Sequence, residues 1–329
     1  TGEVIIEGTI QQGETLKAKT GDINDADGFY NGVKNWSFQW YADGSSIDGA
    51  TDRRFTLTQN EVGKSITVEV SYTDGKGKTE TVTSDATGLV ANENDAPTGG
   101  VTISGVHSLY QGQTLTANTD ALSDEDGLGS FSYQWFANGS AIGGATSQNY
   151  TLTQNEVGKS ITVEVRYIDG YGATEIVTSN ATGSVTNVND APTGVVTIDG
   201  RPEQNQVLTA NTNNIADEDG LGTFSYQWFA NGFLINGATA QHYTLTAENV
   251  GQSITVQVHY TDGHGVVETI LSEATDPISD IEIVTIDGSR EENSFLWANT
   301  DDLYQEIGAS LSFEWMADGK LIENATLQF

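Results

Sequence analysis

The chain has 329 residues, a length that accommodates two to four domains. Its 46 acidic residues outnumber its 13 Lys and Arg residues and give a formal net charge of −33, which disfavours nucleic acid and anionic membranes as partners. There is no Cys, so disulfides, thiolate catalysis and Cys-based zinc sites are excluded. No apolar run has the length of a membrane span, and we expect no direct membrane insertion.

A sequence unit of about 95 residues recurs along the chain. Its central Trp occurs at positions 40, 135, 228 and 315. Each copy orders variants of the same motifs: T-I-x-G, T-L-T-A, an acidic loop and S-Y-Q-W-F-A-N-G, followed in the complete copies by I-T-V-x-V-x-Y-x-D-G-x-G. The repeat predicts four domains, with boundaries at 1–93, 94–188, 189–277 and 278–329.

Each unit is predicted to consist of short strands. Residues 161–165 alternate branched and polar side chains, which is the pattern of a half-buried strand. Asn138-Gly139 supplies the positive φ angles of a tight hairpin. About seven strands per unit, with turn signals every 8–12 residues, are typical of an immunoglobulin-like sandwich. The sequence therefore predicts an all-β tandem array of such sandwiches.

The fourth unit is incomplete. It ends at Phe329, which aligns with Tyr150 of the second unit, so the later strands have no counterpart. At the other terminus, residues 1–4 enter a strand-like pattern without a signal segment. We expect a fragment cut from a longer chain; the alternative is that another molecule supplies the missing strands.

An acidic loop follows the second strand of each complete unit. It carries two Asp residues at positions i and i+2, followed by Gly. Two carboxylates so placed can point at one Ca²⁺ ion, which takes six to eight oxygen ligands, although Asp and Gly also form ordinary surface turns. The candidate ligands are Asp25 and Asp27, Asp124 and Asp126, and Asp217 and Asp219.

Two further segments are expected at the same end of each domain. In a sandwich of this type, the loop after the second strand and the turn between the last two strands lie at one end. That turn has the sequence D-G-x-G and the incoming linker has the sequence N-D-A-P, although a plain hairpin turn and a stiff polar linker are alternative readings. The additional candidate ligands are Asp74, Asp169 and Asp262 in the turns, and Asp95 and Asp190 in the linkers.

Taken in order, these motifs resemble the tandem immunoglobulin-like or cadherin-like repeats of giant bacterial surface adhesins, which are RTX-type and biofilm-associated. The resemblance covers essentially the whole chain. It implies an extracellular stalk on the bacterial cell surface, in which Ca²⁺ stiffens the joints between neighbouring repeats of one longer chain while other domains bind a target. It also implies a ligand from the far end of the upstream domain, for which Glu61 and Glu156 are candidates.

The fourth unit departs from this pattern. Its acidic loop aligns with Gln305-Glu306-Ile307-Gly308, so both Asp residues are lost. No N-D-A-P precedes it, although Asp280 and Asp301 offer oxygens. We expect no calcium site of the same kind at this loop.

The Trp and His residues are predicted to have structural roles and not binding or catalytic ones. The repeated Trp residues alternate with polar neighbours and are expected in the cores, whereas Trp297 is expected to be exposed. The four His residues lie at unrelated repeat positions, and no Ser, His and acid constellation recurs. We therefore expect no enzyme.

A ligand-binding module is the alternative function. Unit 1 carries a four-residue insertion around residues 29–35, and unit 2 a two-residue insertion near residues 107–110. Phe29, Tyr30 and Tyr110 in these loops could contact a polysaccharide, ice or a protein receptor.

Overall fold

The computed structural model describes residues 1–280, 285–288, 296–299, 314–318 and 320–322. Its regular elements are antiparallel strands and five short 3-10 helices. The prediction of an all-β array of immunoglobulin-like sandwiches is confirmed. Among the described residues, no helix has the length and apolar character needed to cross a membrane.

Each complete repeat contains seven strands, which is the number the turn spacing predicted. In repeat 1 they are β1 (Ile5–Glu7), β2 (Thr15–Lys19), β3 (Ser37–Ala42), β4 (Ser45–Ser46), β5 (Arg54–Thr56), β6 (Ile66–Thr73) and β7 (Thr79–Thr83). In repeat 2 they are β8 (Thr102–Ser104), β9 (Thr114–Asn118), β10 (Ser132–Ala137), β11 (Ser140–Ala141), β12 (Asn149–Thr151), β13 (Ile161–Ile168) and β14 (Thr174–Thr178). In repeat 3 they are β15 (Thr197–Asp199), β16 (Val207–Asn211), β17 (Ser225–Ala230), β18 (Phe233–Leu234), β19 (His242–Thr244), β20 (Ile254–Thr261) and β21 (Val267–Leu271).

The other described elements are the strands beyond repeat 3 and the 3-10 helices. Four strands are described beyond repeat 3: β22 (Thr285–Gly288), β23 (Leu296–Asn299), β24 (Met316–Ala317) and β25 (Lys320–Leu321). The 3-10 helices are Tyr30–Gly32, Gln59–Glu61, Val106–Ser108, Gln154–Glu156 and Ala247–Asn249.

Two sheets face each other in every complete repeat. In repeat 1 one sheet has the strand order β1-β2-β5 and the other the order β4-β3-β6-β7, and the same orders recur in repeats 2 and 3. The pairing of β3 with β6 places Trp40 opposite Val68. Since β6 alternates branched residues with Thr and Glu, it buries one face and leaves the other half-exposed.

A Trp lies at the centre of each described core. Trp40, Trp135 and Trp228 are each 0% exposed, and each indole N–H donates to a loop carbonyl, at 2.8 Å in the case of Trp135 and Ser147. The expectation that the repeated Trp residues pack the core is confirmed for these three, whereas Trp315 of the fourth repeat is only half-buried. Trp297 is 54% exposed, also as expected.

The turns follow their sequence signatures. Asn138 and Gly139 have φ angles of 47° and 78°, as the tight hairpin between β10 and β11 requires. The 3-10 helix before β6 begins with a capping box, in which the Glu61 carboxylate accepts hydrogen bonds from the backbone N–H and hydroxyl of Thr58.

The chain divides into two compact units, Thr1–Val188 and Asn189–Phe329. The first contains two hydrophobic cores and the second contains one among the described residues. The four domain boundaries remain predictions. Of the residues predicted to distinguish the fourth repeat, Asp301 and residues 305–308 lie outside the described part of the chain.

Candidate metal centres at the domain ends

The acidic loop and the D-G-x-G turn meet at one end of every complete repeat, as their places in the fold predict. The N–H of Gly170 donates to the carbonyl of Asp126 at 2.9 Å, and the N–H of Gly263 donates to that of Asp219 at 2.9 Å. In repeat 1, a Cβ atom on Gly75 would lie 2.1 Å from the carbonyl oxygen of Asp27. The close approach of these two loops therefore requires the Gly.

The first Asp of each loop is held by the backbone and by a Tyr. In repeat 2, Asp124 accepts the N–H of Asp126 at 2.9 Å through one oxygen and the hydroxyl of Tyr167 at 2.5 Å through the other. In repeat 1, the backbone N–H of Asp27 and then the hydroxyl of Tyr72 hold the pKa of Asp25 below its usual value. These Tyr residues were not predicted as part of the site, although the motif Y-x-D-G contains each of them.

The Asp of each D-G-x-G turn is buried. Asp169 is 7% exposed, and its Oδ1 accepts the N–H groups of Tyr171 and Ala173 at 2.8 and 2.9 Å. Its Oδ2 is buried and receives no hydrogen bond, and the same holds for Oδ2 of Asp262 in repeat 3. A buried carboxylate oxygen without a donor is costly unless a cation binds it.

Repeat 1 brings three carboxylates together at this end, of which that of Asp27 is exposed. Ligand atoms of Asp25, Asp27 and Asp74 lie within 4.8 Å of one another, and this is the only such group of three or more His, Cys, Asp or Glu residues in the described part of the chain. The Nζ atom of Lys76 lies 2.6 Å from Oδ1 of Asp27, and this carboxylate raises the pKa of the Lys.

At the junction of repeats 1 and 2, the second Asp of the loop is covered by the neighbouring domain and by the linker. Asp126 is 4% exposed. Its Oδ2 accepts the N–H of Asp95 at 2.8 Å, and its Oδ1 accepts the side-chain amide of Gln59 at 3.0 Å. Asp95 in turn accepts the side-chain amide of Gln12 at 2.6 Å. Gln59 and Gln12 were missed in the sequence, where neither lies in a motif rich in carboxylates.

Three oxygens at this junction are buried and have no hydrogen-bond partner: Oε1 of Gln59, Oδ1 of Asn92 and Oδ2 of Asp169. Gln59 and the turn of Asp169 form hydrogen bonds with Asp126, and Asn92 precedes the linker by two residues. No Lys, Arg or His of the described chain forms an ion pair with Asp126 or Asp169. The atoms at this junction that could bind a metal ion are therefore oxygens, and no positively charged side chain of the described chain pairs with the two Asp carboxylates.

The corresponding loops of repeat 3 share part of this arrangement. Asp219 is 4% exposed, and its Oδ2 accepts the N–H of Asp190 at 2.8 Å. Nε2 of His264 lies 4.0 Å from Oδ1 of Asp219. His264 occupies the position of Lys76 in repeat 1 and of Tyr171 in repeat 2.

The two Glu residues have a structural role in this structure. Glu61 and Glu156 are 5% and 4% exposed, and each carboxylate caps the 3-10 helix to which it belongs. Glu156 caps through the N–H and hydroxyl of Thr153, at 2.9 and 2.8 Å. Their assignment as metal ligands stays a prediction, as does that of the Asp residues.

The residues at these ends fit a hard divalent cation. Carboxylate and amide oxygens are the ligands of Ca²⁺, whereas Mg²⁺ demands a tighter octahedral shell and retains its waters. The oxygens without a hydrogen-bond donor at the first junction are the observation that distinguishes this centre from an ordinary acidic turn.

No family model matches the sequence. A curated relative is the highly immunogenic outer capsid protein of Enterobacteria phage T4, which is 25% identical over 259 residues. The match covers 75% of this chain and 67% of the phage protein.

Several solved structures are similar at low identity. A Ca²⁺-stabilized adhesin that helps an Antarctic bacterium reach out and bind ice is 14% identical, with a TM-score of 0.28 over 87% of this chain and 76% of that one. A tetra-tandem repeat in the extending region of a large adhesion protein is 19% identical, with a TM-score of 0.29 over 84% and 75%. The ICAM-5 D1–D4 ectodomain fragment is 11% identical, with a TM-score of 0.36 over 84% and 72%.

Proposed function

We propose that this chain is a spacer in a large, surface-exposed adhesion protein and that Ca²⁺ stiffens the joints between its domains. The proposal follows from the buried oxygens at the first junction that receive no hydrogen bond. Its role is mechanical and non-enzymatic: the array holds other domains of the same longer chain away from a surface. The protein would act outside the cell, on the bacterial surface. The adhesin to which it belongs would be of the RTX type and would function in a biofilm.

The electrostatics of the junction support a bound cation. Asp126 and Asp169 are buried on loops that contact each other, and no cationic side chain of the described residues forms an ion pair with either. Burying carboxylates without a compensating charge is strongly unfavourable. A Ca²⁺ ion there would be held by Asp126 and Asp169 and by the oxygens of Asp95, Asn92 and Gln59, and it would supply the missing positive charge.

The origin of these ligands explains how an ion would stiffen the array. Gln59 lies in repeat 1 between β5 and β6, Asn92 and Asp95 lie in or beside the linker, and Asp126 and Asp169 lie in repeat 2. The complete set is assembled in only one orientation of the two domains. An ion that binds this orientation better than all others shifts the population toward it and so reduces bending at the joint.

The sequence relative supports an exterior location. The similar phage protein is an outer capsid protein, and the strong negative charge of this chain suits a solvated structure that carries divalent cations. Neither feature depends on the geometry of the junction.

Small-angle scattering of the chain in Ca²⁺, in Mg²⁺ and in chelator tests the proposal. We expect a larger maximum dimension in Ca²⁺ than in chelator, with little effect of Mg²⁺ at the same concentration. The double variant Asp126→Ala and Asp169→Ala should reduce this response, while Asp25→Ala, at the exposed end of repeat 1, should leave it unchanged. Identical scattering curves in Ca²⁺ and in chelator would overturn the proposal.

A further inference from the structure

Repeat 1 contains a surface cavity of about 350 Å³ beneath its four-residue insertion. The 3-10 helix Tyr30–Gly32 forms one wall, and the adjoining strands β3, β6 and β7 form the other. Ligand pockets in proteins begin at about 300 Å³. The cavity is therefore large enough for one small organic ring.

The other repeats close this position with a shorter loop. Where repeat 1 has residues 29–35, repeat 2 has Leu128-Gly129-Ser130. A Cβ atom on Gly129 would lie 1.9 Å from the carbonyl oxygen of Ile168, and Gly222 of repeat 3 approaches strand β20 in the same way. Thr73, the counterpart of Ile168, instead lines the cavity of repeat 1. The insertion has thus lifted the loop off the strand and opened a space between them.

The base of the inserted loop is anchored by three aromatic rings. Phe29 packs edge-on against Trp36 with ring centroids 5.4 Å apart, and both rings lie 5.3 Å from Tyr72. Nζ of Lys34 lies 5.1 Å from the centre of the Phe29 ring, which adds a cation–π contact. Since aromatic contacts hold both ends of the insertion, the cavity is a formed feature of the domain.

The lining has a distinct chemistry. It contains the amides of Asn31 and Asn35 and the hydroxyls of Ser37, Ser71 and Thr73. The exposed ring of Tyr30, at 54% exposure, stands at the rim. The lining contains no charged side chain.

We propose that this cavity binds a single neutral saccharide residue. Amides and hydroxyls both donate and accept hydrogen bonds, and they can therefore pair with the hydroxyl groups of a sugar. An exposed aromatic ring offers an apolar face with a polar tip, against which the C–H face of a sugar ring can pack. The absence of charge from the lining favours a neutral sugar over an anionic one, because a buried charge needs a partner.

This inference is independent of the calcium proposal, since none of the junction residues lines the cavity. Saturation-transfer NMR on the whole chain tests it, with methyl α-mannoside, methyl α-glucoside and methyl β-galactoside as neutral probes and N-acetylneuraminic acid as the charged comparator. We expect transfer from at least one neutral glycoside, with a Kd on the order of 1 mM, and none from the charged sugar.

Two variants localise the binding. Tyr30→Ala should weaken it about two- to thirteenfold, since an aromatic contact contributes about 0.5–1.5 kcal/mol. Tyr171→Ala is the matched control, because Tyr171 is equally exposed, at 53%, but lies in a turn of repeat 2. Replacing residues 29–35 with Leu-Gly-Ser from repeat 2 should abolish binding while the domain still melts cooperatively.

Three results would overturn the assignment. One is the absence of transfer from all three neutral glycosides at about 10 mM. Another is binding that survives the loop replacement, which would place the sugar elsewhere. The third is tighter binding of N-acetylneuraminic acid than of the neutral probes, which would contradict the role given to the uncharged lining.

Discussion

The acidic loops of repeats 1 and 2 share one local structure but have different surroundings. Asp27 is exposed, and Lys76 lies 2.6 Å from its carboxylate. Its counterpart Asp126 is 4% exposed and accepts hydrogen bonds from Gln59 of the preceding repeat and from the N–H of Asp95 in the linker. The neighbouring domain therefore accounts for the difference.

This comparison shows what a domain contact does to an acidic turn. In repeat 1 a Lys of the same domain neutralises the carboxylate. In repeat 2 the equivalent position is Tyr171, and Oδ2 of Asp169 is buried and receives no hydrogen bond. The same loop is thus exposed and paired with a Lys in repeat 1, whereas in repeat 2 it is covered and forms no ion pair among the described residues.

The largest expected loss of stability comes from replacing the Trp at the centre of a core. This loss should be the same in repeats 1 and 2. Both Trp40→Ala and Trp135→Ala should cost about 3–5 kcal/mol, because each removes a fully buried aromatic side chain. Calorimetry of the whole chain should show one destabilised domain in each variant. Hydrogen exchange of β6 and β13 peptides should identify which domain it is. A much larger cost in one repeat would mean that the sandwiches, and not only their ends, differ.

Removing the second Asp of the acidic loop should change stability more in repeat 2 than in repeat 1. In chelator, Asp126→Ala should destabilise repeat 2 by about 1–3 kcal/mol, since the amide of Gln59 and the N–H of Asp95 lose their buried acceptor. Asp27→Ala should change stability by about 0.5 kcal/mol or less, as expected for an exposed position. Calorimetric melting of both variants provides the measurement. Equal effects would show that the contact with repeat 1 does not matter to Asp126.

Much of this arrangement could be predicted from sequence, because the repeats supply their own alignment. The strand pattern, the buried Trp residues and the meeting of the D-x-D-G and D-G-x-G loops all follow from motifs in the same order in each copy. Knowing the sandwich topology was enough to bring Asp126 and Asp169 to one end of the domain.

The remaining features depend on contacts outside the acidic motifs that were used to choose the ligands. Gln59 lies far from Asp126 in sequence and reaches it only across the domain boundary. Tyr167, whose hydroxyl donates to Asp124, lies in strand β13 and was not among the predicted site residues. Glu61 was assigned from resemblance, but its carboxylate is used by the capping box beside it.

A smaller effect is expected from the residue that pairs with the exposed loop. Lys76→Tyr would give repeat 1 the residue found in repeat 2 and remove the positive charge beside Asp27. We expect Ca²⁺ to bind the group formed by Asp25, Asp27 and Asp74 about two- to fivefold more tightly, because an exposed ion pair contributes about 0.2–1 kcal/mol. Calorimetric titration of the variant and the parent measures this change. Lys78→Tyr is the control, since Lys78 pairs with Glu80, and an equal gain there would indicate a general effect of charge.

An effect confined to alkaline pH is expected from the Tyr that supports the first Asp of each loop. Burial, followed by the hydrogen bond to Asp25, raises the pKa of Tyr72 from 10.0 to about 12. The folded state thus holds this proton more tightly than the unfolded chain, so the stabilisation is complete below pH 10 and is lost as the pH rises through about 12. In urea, repeat 1 of the parent should become easier to unfold across that window, as shown by pulse proteolysis and identification of the cleaved peptides. Tyr72→Phe should be less stable at neutral pH, because the hydroxyl is lost, but should show a weaker dependence on alkaline pH. Parallel losses in the parent and the variant would mean that other groups control the alkaline response, and that the bond between Tyr72 and Asp25 does not hold this loop in place.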